Sequence, residues 1–186
     1  MRWITFFILL YLMAALQMAQ LGAIPHGVSG GGGGGPAWPA IEYLPILAVF
    51  YALFAGDAGA PLAALACGAV YDLGNYPNDL LGTNLVPLAL VSILVLKIRL
   101  SIFREHVVSQ GLVTLLALLL FAVLSVIMRV LVQAPLEGHS VWTHFWTLTG
   151  DAVYSAVAAP ALFWVFFRFT PLLGFTSHGP RTRGKA

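Results

Sequence analysis

Long, nearly uninterrupted apolar runs alternate with short breaks rich in glycine, proline and polar residues along this chain. Runs such as Leu115–Leu120 are continuously apolar and lack the period-two alternation of a membrane barrel strand. In lipid only helices and closed barrels satisfy their own main chain, so these runs predict helices of roughly 20 residues each. The pattern places helices at about 3–21, 41–55, 59–72, 80–96, 107–132 and 146–169. A flexible outer loop at 25–39 contains Gly30–Gly35, and a basic tail occupies 171–186.

The stretch 41–71 decides the helix count. One helix over it would be about 46 Å long, against a hydrocarbon core of about 30 Å. The cluster Gly56-Asp57-Ala58-Gly59-Ala60-Pro61 is a turn signal in its middle. Charge parity favours a hairpin. With two crossings, Arg2, Lys97, Arg99, Arg104, Arg168, Arg181, Arg183 and Lys185 all face the cytoplasm, and Arg129 alone lies near the outer face. With one crossing, the 97–104 segment and the tail would face away from Arg2. The expectation is an all-α integral membrane protein of six transmembrane helices, both ends inside, forming one domain over 1–170. Trp3, Trp38, Tyr43, Trp142 and Trp146 fall at the expected interfaces.

Composition agrees with this. Hydrophobic residues make up 60% and charged residues 9% of the chain, where soluble domains carry about 25% charged residues. A soluble core of this size cannot absorb so much apolar surface. Arg2 and the run from Trp3 resemble the start of a signal peptide. The run is long enough to span, however, and Gln17, Met18, Gln20 and Leu21 make poor cleavage neighbours, so a retained first helix is expected. The single cysteine, Cys67, excludes an intrachain disulfide and reads as a small packing residue.

Candidate chemistry is sparse. Ionisable groups within a membrane are expensive and usually paired. Arg129 and Asp151 lie at matching depth near the outer ends of helices five and six, so they form a candidate ion pair, with Asp72 a second possible partner. A structural clamp is the preferred role, and a proton or substrate site is the alternative. Asp57 between two glycines suits capping of the second hairpin arm, with a cytoplasmic partner contact as the other role. His26, His106, His139, His144 and His178 fit no metal-ligand spacing, even with Glu137 nearby. The Gly30–Gly35 run lacks the lysine and hydroxyl of a phosphate loop. No nucleophile elbow or Ser/His/Asp set stands out. No cofactor, metal, nucleic acid or enzymatic activity is expected. Lys97, Arg99 and Arg104, interleaved with Ile98, Leu100, Ile102 and Phe103, read as an anchor on anionic lipid headgroups or a partner surface.

The segment Gly68-Ala-Val-Tyr-Asp72-Leu73, then Leu81-Gly82-Thr-Asn84-Leu85, an apolar helix, and Lys97-Ile-Arg-Leu-Ser-Ile-Phe-Arg104 resembles the MreD family of bacterial rod-shape-determining membrane proteins. The polar stretch Val108-Ser-Gln110 and the Trp146, Pro160 and Trp164 of the last helix extend the resemblance over about 41–168. The turn between Asp72 and Gly82 is slightly longer than the family's usual one, and the Gly30–Gly35 loop is unusual. The resemblance implies a non-enzymatic scaffold of the cell-elongation machinery of peptidoglycan synthesis. Its implied partners are the bitopic protein MreC and, beyond it, MreB, RodA and a class B penicillin-binding transpeptidase. It also implies a helix arrangement like that of the S components of energy-coupling-factor transporters. Gly68, Asp72, Gly82, Asn84 and Pro160 would then be architectural.

A scaffold needs helix faces on which another helix packs, and small residues permit close approach. Gly56, Gly59 and Ala63, with their small neighbours through Ala69, supply one such face, and Ala152, Ala156 and Ala159 another, although bundle interiors use the same residues. The rival function is a small-molecule-binding membrane subunit with an outward polar pocket around Asp72, Asn84, Arg129 and Asp151.

Overall fold

The computed structural model describes residues 2–23, 40–54, 59–75, 80–98, 107–132 and 141–173. They form six helices and no strand: α1 Arg2–Ala23, α2 Tyr43–Phe54, α3 Gly59–Asn75, α4 Leu85–Ile98, α5 Val107–Val132 and α6 Val141–Leu173. Three have the length and apolarity to cross a membrane, over Trp3–Gln20, Ser109–Val132 and Phe145–Arg168. The described residues are thus all-helical, with helices that suit a membrane.

The three short helices share a start signal. Pro45, Pro61 and Pro87 each occupy the third position of α2, α3 and α4. The first turn of a helix has no intrahelical acceptor for its amides, so a missing N–H is tolerated there. Two expected boundaries shift. The fourth helix starts at Leu85 rather than 80, because 80–84 form a turn in which the Thr83 hydroxyl donates to the Leu80 carbonyl at 2.7 Å. Leu80 and Leu81 extend the apolar run in sequence but lie exposed on that turn. The last helix begins at Val141 rather than 146 and runs on to Leu173.

Helix α2 lies at the centre. It packs against all five other helices, which close around it in the order α1, α3, α4, α5, α6 and back to α1. Every residue from Leu44 to Leu53 is buried, as expected of a helix that is apolar all round. At about 18 Å it is far shorter than the hydrocarbon core. Being enclosed by protein, it need not match the core's thickness.

Successive helices run antiparallel. Phe50 near the end of α2 meets Phe163, Phe166 and Phe167 near the end of α6, with ring centroids 5.0–5.6 Å apart. Phe6 at the start of α1 meets Tyr51 at 4.8 Å. The other end of the bundle gathers the end of α1, the start of α2, the end of α3 and the starts of α4 and α6.

Gly68 permits a close helix contact. A Cβ on Gly68 of α3 would lie 2.5 Å from the Leu85 Cα of α4, so only glycine lets the two backbones meet there. In α5, Gly111 faces α6 where Pro160 interrupts the hydrogen-bond ladder. A Cβ there would sit 3.7 Å from the proline ring and 3.9 Å from the Ala156 carbonyl oxygen. That carbonyl is the one left without its usual donor four residues on.

The small-residue face of α3 does not look outward. Ala60, Ala63, Ala64, Cys67 and Gly68 are buried inside the bundle, so of the two uses open to such residues these serve interior packing. Small side chains serve interior packing as well as partner docking, and their spacing is the same in both uses. Ala152, Ala156 and Ala159 of α6 are likewise buried. The outward surface carries large apolar residues instead, among them Ile8 and Tyr11 of α1, Leu116 and Leu131 of α5, and Val157 of α6. Apolar exposure on this scale suits contact with lipid.

Candidate functional site

At one end of the bundle, polar side chains are buried together: Gln17, Glu42, Asp72, Thr83, Asn84 and Ser155. In an apolar surrounding each must be hydrogen-bonded or it costs several kcal/mol. Nearly all of the bonds shown go to main-chain amides.

The first group holds the segment that leads into α2. Residues 40–42 run outside any helix, between α1 and α6. The Ala40 amide donates to Asp151 Oδ1 at 2.8 Å, and the Glu42 amide to Ser155 Oγ at 2.8 Å. The Tyr43 amide donates to Gln17 Oε1 at 2.8 Å. With its amide turned so that both groups find complements, Gln20 accepts from the Ile41 N–H at 3.0 Å and donates to the Ile41 carbonyl at 3.1 Å. Successive peptide groups of an extended chain point to opposite sides. Residues 40 and 42 therefore turn to α6, while 41 and 43 turn to α1. Gln17 and Gln20 are three apart and Asp151 and Ser155 four apart, which puts each pair on one helical face. The Glu42 carbonyl then accepts the first helical bond, from the Ile46 amide at 3.2 Å. Glu42 is thus the N-cap of α2. Its side chain accepts from the Tyr71 hydroxyl of α3 at 3.2 Å.

The second group is built on Asp72. This carboxylate from α3 is fully buried. Oδ2 accepts from the Gly82 amide at 2.7 Å and from Leu85 at 3.2 Å, and Oδ1 accepts from Asn84 at 2.9 Å. These amides open α4, so Asp72 caps that helix from the preceding one and places a negative charge at its positive end. Gly82 has φ +103°, a conformation that disfavours any side chain. The Gly82 carbonyl accepts from Val86 at 3.2 Å and the Asn84 carbonyl from Leu88 at 3.0 Å.

The structure brings Asp72, Gly82 and Asn84 into one unit and puts Gly68 a little over one turn before Asp72. Pro160 stands apart in α6. Asp151 engages the Ala40 amide. Arg129 lies in the last turn of α5 with its Nε buried. Gly59 opens α3 with open space where a Cβ would be. Lys97 is exposed in the last turn of α4, and Arg168, also exposed, lies over the Trp164 ring at 5.7 Å. Both basic residues are at the end opposite the polar layer. Gly56, Asp57, Arg99, Arg104, Glu137 and all the histidines except His144 lie outside the described residues, and His144 falls in α6. Among the described residues no group of three His, Cys, Asp or Glu could hold a metal ion.

Sequence reasoning missed Glu42, Gln17, Gln20 and Ser155. A signal existed for all four. Glu42 is an acidic residue at the start of a long apolar run, and the other three, with Asp151, are polar residues at helical spacing on otherwise apolar helices.

No family model, no characterised protein and no solved structure matches this chain.

Proposed function

We propose that this chain is a non-enzymatic membrane scaffold of the bacterial cell-elongation machinery, of the MreD kind, with an MreC-like bitopic protein as its direct partner. It sits in the cytoplasmic membrane with six crossings and both ends inside. One observation carries the reading. The short motif on which the MreD resemblance rests, Asp72-Leu73 followed by Leu81-Gly82-Thr83-Asn84-Leu85, is a physical unit. Its aspartate holds the amides of Gly82, Asn84 and Leu85, and its glycine supplies the positive φ of the turn. A motif whose residue types are each required by one geometry is a stronger signature than the same letters in an unstructured loop.

The antiparallel succession of helices supports six crossings, because each short helix begins where its neighbour ends. The exposed Lys97 and Arg168 at one end support a cytoplasmic assignment for that end. The rival, a small-molecule-binding subunit like an energy-coupling-factor S component, needs polar groups that face a ligand. Asp72 and Asp151 face main-chain amides instead.

Affinity purification of the full chain from the membranes of a rod-shaped host tests this. A bitopic MreC-like protein should co-purify in stoichiometric amount. Recovery of the chain with a retained small molecule and without any bitopic protein would favour the rival.

A further inference from the structure

Helix α1 is attached to the bundle differently along its two halves. Phe6, Leu9, Leu10 and Met13 make a buried apolar stripe. That stripe thins after Met13 to the partly buried Ala14 and to Met18 against Gly74 of α3, and the polar positions that follow are Gln17 and Gln20. Their bonds go to the 40–43 segment, whose other side is bonded to α6. In a membrane there is no hydrophobic drive between helices, so packing and interhelical hydrogen bonds decide their association. We infer that segment 40–43 is a two-sided latch that holds the outer half of α1 to α6, and that this half of α1 is the part of the bundle that opens.

The two sides of the latch release different things. Loss of Gln17 and Gln20 frees α1 and leaves the segment on α6. Loss of Asp151 and Ser155 frees residues 40 and 42 from α6, while 41 and 43 stay on α1 and the Glu42 side chain stays on Tyr71 of α3. The Asp72 unit at the same end shares no bond with the latch and takes no part in either movement.

The experiment uses the full chain in nanodiscs, with Cys67→Ala and Met13→Cys placing one thiol on the buried face of α1. Maleimide labelling reads the opening, and hydrogen exchange reads the amides of 40–43. Gln17→Ala with Gln20→Ala should raise labelling roughly twentyfold, from three bonds of the strength typical inside membrane bundles, one at Gln17 and two at Gln20. Amides 41 and 43 should lose protection while 40 and 42 keep it. Asp151→Ala with Ser155→Ala should expose the opposite pair of amides but raise labelling less, because α2 and the Tyr71 bond to Glu42 still hold the segment. Amides 82, 84 and 85, held by Asp72, should be unchanged throughout. If they too lose protection, the bundle has unfolded, and Gln17→Ala alone is read in the same way, with roughly threefold expected. Unchanged labelling in folded variants, or simultaneous loss of all four latch amides from either side, overturns the inference.

Discussion

Replacing Asp72 with asparagine and with alanine should give two clearly different losses of stability. The carboxylate is fully buried and accepts three amides, two on Oδ2 and one on Oδ1. Alanine leaves all three donors without it. A bond to a charged acceptor contributes about 1.5–3 kcal/mol in soluble proteins, and interhelical bonds in membranes average about 0.6 kcal/mol. The bonds here go to a charged group, but α4's first turn stands near the bundle end, where water can reach a released amide. Asp72→Ala should therefore cost about 3–5 kcal/mol. Asparagine can keep its oxygen on Gly82 and Leu85, but its NH2 then opposes the Asn84 N–H. It retains two bonds, loses one, and loses a charge worth about 0.3–1 kcal/mol at a helix N-terminus. Asp72→Asn should cost about 1–2 kcal/mol. Equilibrium unfolding by dodecyl sulfate in mixed micelles, followed by tryptophan fluorescence, measures both. Equal losses for the two variants, or losses below about 0.5 kcal/mol for both, would refute the assignment of these bonds as the main anchor of α4.

Other substitutions probe the packing. Gly68→Ala puts a methyl 2.5 Å from the Leu85 Cα, so α3 and α4 must part, and a loss of about 1–3 kcal/mol is expected in the same titration. Gly82→Ala meets no neighbour but forces φ +103° on a side chain, and should cost about 1–2 kcal/mol. Gly150→Ala, exposed within α6 with open space around its Cβ, should instead stabilise by about 0.5–1 kcal/mol through helix propensity. Reporter fusions after residues 57, 104 and 186 should all report the cytoplasm, and fusions after 30, 78 and 137 the outside. Any fusion on the wrong side would remove the six-crossing topology.

The helices were legible in the sequence because unbroken apolar runs have one physical solution in lipid. The division of 41–71 was legible too, since Gly56 through Pro61 supplied the turn and the basic residues supplied the parity. Asp72 and Gly82 stood out through their motif. The latch did not, because what Gln17, Gln20, Asp151 and Ser155 hold is main chain. Amides have no residue signature, and Ala40-Ile41-Glu42 reads as the start of a helix. The destination of the α3 small residues was equally hidden, since interior and partner-facing stripes share one spacing. Leu80 and Leu81 misplaced the start of α4 because an apolar residue on an exposed turn looks, in sequence, like one within a helix.

The central claim is that this chain organises the elongation machinery. Depletion in its native host, with fluorescent MreC-like protein imaged in the same cells, tests it most directly. Cells should round up as the chain is lost, and the MreC-like protein should lose its localisation. Re-expression of the native chain should restore both, and re-expression of Asp72→Ala should restore neither. Cells that keep their rod shape, with the MreC-like protein still in place after full depletion, would contradict the claim.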